Sequence, residues 1–93
     1  MIEIVKVVRV EALGDYRLRI WFSNSLEGVR DFADVIAEGG AMVGPLHEPA
    51  FFARAFVQNG VPTWPNGFAV DAIALFQEMQ SAGLLTRTAV TAG

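Results

Sequence analysis

The stretch Tyr16-Arg17-Leu18-Arg19-Ile20-Trp21-Phe22 decides the fold. In an extended chain Tyr16, Leu18, Ile20 and Phe22 fall on one side and Arg17, Arg19 and Trp21 on the other, the period of two that marks a strand with one face in a core. Upstream, residues 4–10 are rich in β-branched side chains and lack Gly and Pro, and Glu11-Ala12-Leu13-Gly14-Asp15 carries turn residues that would close that strand. Downstream, Ser23-Asn24-Ser25 is a short polar turn from which residues 26–32 return as a third strand, with Gly28 marking a bulge or a close backbone approach. Together these segments predict a three-stranded antiparallel meander.

Beyond the meander, residues 31–38 read as a short helical turn stopped by Gly39-Gly40. Residues 41–49 read as a loop or short strand, and His47-Glu48-Pro49 opens a helical turn through Ala53. Asn59-Gly60 lies between two apolar runs, residues 55–58 and 61–64, and this dipeptide supplies the two positive φ angles that a tight hairpin demands. Pro62 restricts the second hairpin strand to an edge or to an N–H position facing solvent. From Asp71 to Ala82 the spacing predicts a helix, with Ala72, Ile73, Leu75, Phe76 and Met79 on one side and Asp71, Gln77, Glu78 and Ser81 opposite. Asp71 is placed to cap its start, Gly83 to take the left-handed position past its end, and Leu84 to make the accompanying apolar contact. The predicted fold is therefore α+β: an N-terminal three-stranded antiparallel meander, short helical turns, a β-hairpin and a C-terminal helix. One domain spans residues 1–85, and the small, polar residues 86–93 are expected to be a flexible tail.

Composition sets the outer limits. A chain of 93 residues has room for one core, and 53% apolar against 18% charged residues argues that it folds. The absence of cysteine excludes disulfides, a thiolate nucleophile and Cys-based zinc sites. No apolar run approaches the roughly 18 residues of a membrane span, and the start of the chain lacks the pattern of a signal peptide, so a cytoplasmic protein without membrane contact is expected. Ten acidic against seven basic residues give a net charge of −3, which disfavours general binding to a phosphate backbone. A domain this small hides only about 60–65% of its unfolded surface, so its apolar surplus predicts a homo-oligomer, dimer or larger.

Among surface candidates, Arg17, Arg19 and Trp21 should project from one strand face at about 7 Å spacing. Two cations beside an indole suit an acidic partner, a phosphate or a stacked base. Alternatively, Glu3, Glu11, Glu27 or Asp31 on neighbouring strands pair with the arginines while another subunit or a helix covers Trp21. The second candidate is Trp64-Pro65-Asn66-Gly67, a turn that fixes an indole at a rigid corner. Trp64 is then either a recognition hot spot or an aromatic lid pinning the last helix to the sheet, and its position just before that helix favours the lid. His47 is the lone imidazole, and with Glu48 or Asp31 it would be the centre of any acid-base site. Yet no nucleophile motif surrounds Ser23, Ser25 or Ser81. Asp31, Asp34 and Glu38 share a helical spacing that a hard cation would need, but a solvated face near a helix start explains them better. Neither a metal nor a nucleotide cofactor is expected.

The succession Phe22-Ser23-Asn24-Ser25, Glu27-Gly28, Asp31, then Gly40, Pro45-Leu46, Pro49 and Phe51-Phe52, and finally Trp64-Pro65-Asn66-Gly67-Phe68 with Val70, Asp71 and Leu75, resembles the bacterial family called domain of unknown function 2442. The resemblance spans about residues 3–76, with Trp-Pro-Asn-Gly its most specific part. It implies a small α+β domain, of a kind found alone or fused to a helix-turn-helix domain. It also implies a place beside another small protein in pairs suspected to be toxin–antitoxin modules. The chain departs from the family pattern in three places. Asn24-Ser25 stands where Asp-Gly is usual, Ala69 where an Asp is usual, and Ala72 where a Pro often opens the last helix. No catalytic residue is carried over.

The reading that follows is a noncatalytic protein-interaction module that self-associates, an antitoxin-like or regulatory partner of a neighbouring small protein. Its interface candidates are Arg17, Arg19, Trp21, Trp64 and Asn66. The first alternative is a small nucleic-acid-binding regulator using the Arg17/Arg19/Trp21 face, and the second is an enzyme using His47.

Overall fold

The computed structural model describes residues 4–88, and its opening strands β1 (Val7–Gly14), β2 (Arg17–Phe22) and β3 (Leu26–Asp31) form the predicted antiparallel meander. β1 runs further than its sequence suggested. Glu11 and Ala12, read as the start of a turn, pair with Arg19 and Leu18, because the in–out alternation of β1 continues through them. The turn itself is Asp15-Tyr16, with φ of 53° and 59°. Tyr16 is thus a turn residue, not the first residue of β2. A left-handed Tyr is strained. Its hydroxyl donates to the His47 carbonyl at 2.5 Å and its ring meets Phe52 edge-on at 5.6 Å, contacts that hold the turn in place.

Downstream come α1 (Ala33–Glu38) and α2 (Pro49–Phe52), the short helical segments expected, and between them a single 3₁₀ turn over Gly44–His47 where a loop or short strand was predicted. β4 (Phe56–Gln58) and β5 (Val61–Thr63) close the Asn59-Gly60 hairpin as a separate two-stranded sheet. Asn59 and Gly60 both take positive φ, 53° and 76°, as the right-handed twist of a hairpin requires. The Gly60 carbonyl accepts from the Val7 N–H at 2.8 Å, tying the hairpin to β1.

α3 (Ala72–Ser81) follows the predicted helix closely. The Asp71 carboxylate accepts from the Ala74 N–H at 2.8 Å, and Gly83 leaves the helix at φ 71°. Ala72, Leu75 and Met79 are buried, but Ile73 is 47% exposed and does not belong to the apolar stripe. Past Gly83 the Leu84 N–H closes the helix end on the Met79 carbonyl at 2.9 Å, while the Leu84 side chain is partly exposed. Its backbone crosses β3. A Cβ on Gly28 would overlap the Leu84 carbonyl oxygen and lie 3.0 Å from the Met79 methyl, so the expected close backbone approach is what this glycine permits.

Past Leu84 the chain pairs with β3 as β6 (Thr86–Arg87), giving a four-stranded sheet in the order β1-β2-β3-β6. The stretch predicted as a free tail therefore begins as an edge strand, while residues 89–93 lie outside the described residues. The architecture is α+β, as predicted. Its core joins Val7, Leu18, Ile20 and Phe22 of the sheet to Phe32, Leu46, Phe52, Trp64, Leu75 and Met79. No described helix is long and apolar enough to cross a membrane.

Candidate functional site

β2 sends alternate side chains to opposite faces of the sheet. Leu18, Ile20 and Phe22 enter the core, and Arg17, Arg19 and Trp21 stand on the other, outer face, as their spacing predicts. Register with the neighbouring strands completes that face. Arg9 lies opposite Trp21 and Glu11 opposite Arg19 on β1, while Glu27 lies opposite Trp21 and Asp31 opposite Arg17 on β3.

The outer face is held together by its own charges. The Arg19 guanidinium meets the Glu27 carboxylate at 3.4 Å, and Arg9 meets Glu11 at 3.8 Å. The Arg9 guanidinium lies 4.6 Å from the Trp21 ring centre and that of Arg19 lies 5.9 Å away, so the indole is flanked by two cations. Arg17 is exposed, its Nε donating to the Gly14 carbonyl at 3.4 Å. Three arginines (9, 17, 19) thus face three carboxylates (11, 27, 31), and their formal charges cancel. Glu11, Glu27 and Asp31 take the neighbouring positions that the sequence offered them, and Glu3 lies outside the described residues. Arg9 is the member of this face that the sequence did not single out, and Glu11, expected there as a neighbouring carboxylate, lies within β1 itself and not in the turn after it. The signal was present in the alternation Arg9-Val10-Glu11-Ala12.

The second candidate belongs to the interior. Trp64 is fully buried, its ring 5.5 to 5.9 Å from those of Phe32, Phe52 and Phe68, and its indole N–H donates to the Phe52 carbonyl at 2.9 Å. It therefore cannot meet a partner in this fold. Its hydrogen bond and ring contacts fasten α2 to the end of β5, within the same buried cluster as Leu75 and Met79 of the last helix. Asn66 is consumed within the chain as well. Its amide nitrogen donates to the Met42 carbonyl at 2.8 Å and its amide oxygen accepts from the Phe68 N–H at 3.2 Å. These bonds pin the 40–44 segment against the Trp-Pro-Asn-Gly turn, so the half-buried Asn66 acts as a structural clamp there.

The groups suited to acid-base or metal chemistry are spread over separate structural tasks. His47 is exposed at the end of the 3₁₀ turn, where its carbonyl anchors Tyr16. The Asp31 carboxylate accepts from the Ala33 N–H at 2.8 Å. Asp34 holds both terminal nitrogens of Arg30, at 3.0 and 3.2 Å, and Glu78 of α3 bonds the same guanidinium. Arg30 is buried on the inner side of β3 with its guanidinium 4.6 Å from the Phe32 ring, so this network ties β3 to α1 and α3. Burial alone would lower the pKa of Arg30, but the hydrogen bonds it donates to Asp34 and Glu78, with their negative charges, outweigh it and raise the value. The same bonds hold the Asp34 carboxyl below its ordinary value. Among the described residues, no three acidic or histidine side chains are placed to hold a metal ion.

No protein-family model and no curated protein matches the chain. A similar fold occurs in the crystal structure of a candidate DNA-binding protein from Nitrosomonas europaea ATCC 19718, with a TM-score of 0.66 and 27% sequence identity. The similarity covers 85% of this chain but 52% of the other, so this chain spans about half the length of the protein it resembles.

Proposed function

We propose that the chain is a noncatalytic protein-interaction domain that self-associates and acts in the cytoplasm as the antitoxin-like or regulatory partner of another small protein. The outer face of the four-stranded sheet carries this reading. It presents a half-buried indole between two guanidiniums within a ladder of matched charges. An aromatic and arginine centre with a polar rim is the composition that protein interfaces favour. The family resemblance supplies the setting, a small bacterial domain paired with a second small protein. Light scattering of the purified protein at micromolar concentration should give a mass above that of one chain, and a single-chain mass across that range would remove self-association. Co-expression with the product of the adjacent gene should yield a complex that survives purification, whereas separate elution of the two would remove the partner role.

The similarity to a candidate DNA-binding protein favours one other reading, a nucleic-acid-binding regulator that uses Arg17, Arg19 and Trp21. The charge balance of the face weighs against it, since phosphate binding needs unmatched cations. Retardation of duplex or single-stranded DNA that weakens steeply as salt rises would support this alternative. Absence of binding at low salt would reject it.

A further inference from the structure

Resting on the self-association reading, we propose that two copies of this chain join through the outer edge of β1 beyond the Val7–Gly60 contact, antiparallel and about a two-fold axis at Val10, merging two four-stranded sheets into one of eight strands. β1 is the outer strand of its sheet. The β4–β5 hairpin packs beside β1 and engages it at Val7, whose N–H reaches Gly60, but among the described residues the backbone from Val8 to Leu13 makes no hydrogen bond outside its ladder with β2. An open edge of this kind is a template for another strand. Register shifts at Val7/Arg9 and Ala12/Gly14 bracket the regular part of β1, leaving residues 9–12 as the straight segment.

The charges on that segment choose the partner and its register. In an antiparallel pair with both outer faces on the same side, directly opposed residues share the same in–out parity. An axis at Val10 sets Arg9 opposite Glu11 of the second copy and Glu11 opposite Arg9 of the second copy, two favourable cross-strand pairs. An axis at Arg9 would set arginine against arginine, and one at Glu11 would set glutamate against glutamate. Val10 would then face its own counterpart on the core side of the joined sheet. The segment Arg-Val-Glu is thus complementary to itself about its centre, as a two-fold interface demands. Ile4 and Val8, 66% and 58% exposed, flank this stretch and would be shielded by the second copy.

Charge exchange tests the arrangement. R9E places Glu against Glu at both crossings and E11R places Arg against Arg, so each variant alone should weaken the dimer by at least about tenfold, as two pairs turn from attraction to repulsion. Mixing the two variants should restore association as a heterodimer, because every crossing is then Glu against Arg. The double variant R9E/E11R should likewise regain the homodimer. Light scattering reads the mass and circular dichroism confirms that the variants are folded. V10C should form an intermolecular disulfide on mild oxidation, and the same substitution at Arg17, away from the axis, should not. If the unaltered protein is monomeric, both this proposal and self-association fail. If it is a dimer that R9E and E11R leave intact, or that mixing does not rescue, self-association stands and the β1 edge is overturned.

Discussion

The inner and outer faces of the four-stranded sheet are built from alternate residues of the same strands, yet they answer to different constraints. On the inner face Leu18, Ile20 and Phe22 are buried, Gly28 has no room for a side chain, and the terminal nitrogens of Arg30 are held by carboxylates from two helices while its buried Nε has no partner among the described residues. On the outer face the side chains meet mainly their cross-strand neighbours and solvent. Substitution on the first should therefore be felt in stability, because close-packed interiors neither collapse nor expand freely. On the second it should be felt in association. A protein of this size has about 5–15 kcal/mol of stability to lose, so the two classes should separate cleanly in denaturation.

The largest expected effect lies in the core. Trp64→Ala should cost about 3–5 kcal/mol, by opening a cavity among Phe32, Phe52 and Phe68 and leaving the Phe52 carbonyl without its donor. Urea denaturation followed by circular dichroism would show it. A loss below about 1 kcal/mol would mean that the indole is not the anchor its contacts imply. Next comes Gly28→Ala, at about 2–3 kcal/mol, in the upper part of the overpacking range because the obstacle is a backbone carbonyl, not a flexible side chain. Thermal unfolding should register it, and an unchanged midpoint would show that the Leu84 segment yields.

The Arg30 network gives a smaller effect with a signature in pH. Replacing both partners, D34N with E78Q, should cost about 1 kcal/mol, since the carboxylates are largely exposed although the guanidinium they hold is not. Because folding lowers the Asp34 pKa, its contribution is present above the ordinary carboxylate value of 3.8 and disappears as pH falls through the lower, folded value. Between about pH 5 and 2 the single variant D34N should lose less stability than the unaltered protein. Parallel acid titrations of the two would contradict this role for Asp34.

At the bottom of the scale are a gain and a control. Ser25 turns from β2 to β3 at φ 68°, a conformation that glycine takes without the steric cost, so Ser25→Gly should stabilise by about 0.5–1 kcal/mol. A loss of stability would mean that the serine contributes something its φ does not reveal. Arg17→Ser on the outer face should shift stability by no more than about 0.5 kcal/mol. A larger cost would erase the contrast between the two faces.

What the sequence determined by itself was local. Alternation over residues 16–22 gave the inner and outer faces, Asn59-Gly60 placed a hairpin, and Asp71 with Gly83 bounded the last helix, because each signal is contained within a few neighbouring residues. The tertiary structure alone decided matters that join distant parts of the chain. Trp64 reaches Phe52, Asn66 reaches Met42, Arg30 reaches Glu78, and the Leu84 backbone crosses Gly28 before residues 86–87 add a fourth strand. In each case the side chain's chemistry was plain, but its partner was not, since a conspicuous Trp or Asn satisfies its polar atoms with whatever the fold brings alongside. The interface candidates divided on that ground: Trp64 found its partners in the core, and Asn66 found its own in the neighbouring 40–44 loop. Arg17, Arg19 and Trp21 stayed on the outer face, joined there by Arg9 and Glu11, because a strand's pleat sends alternate side chains away from the core whatever the rest of the chain does.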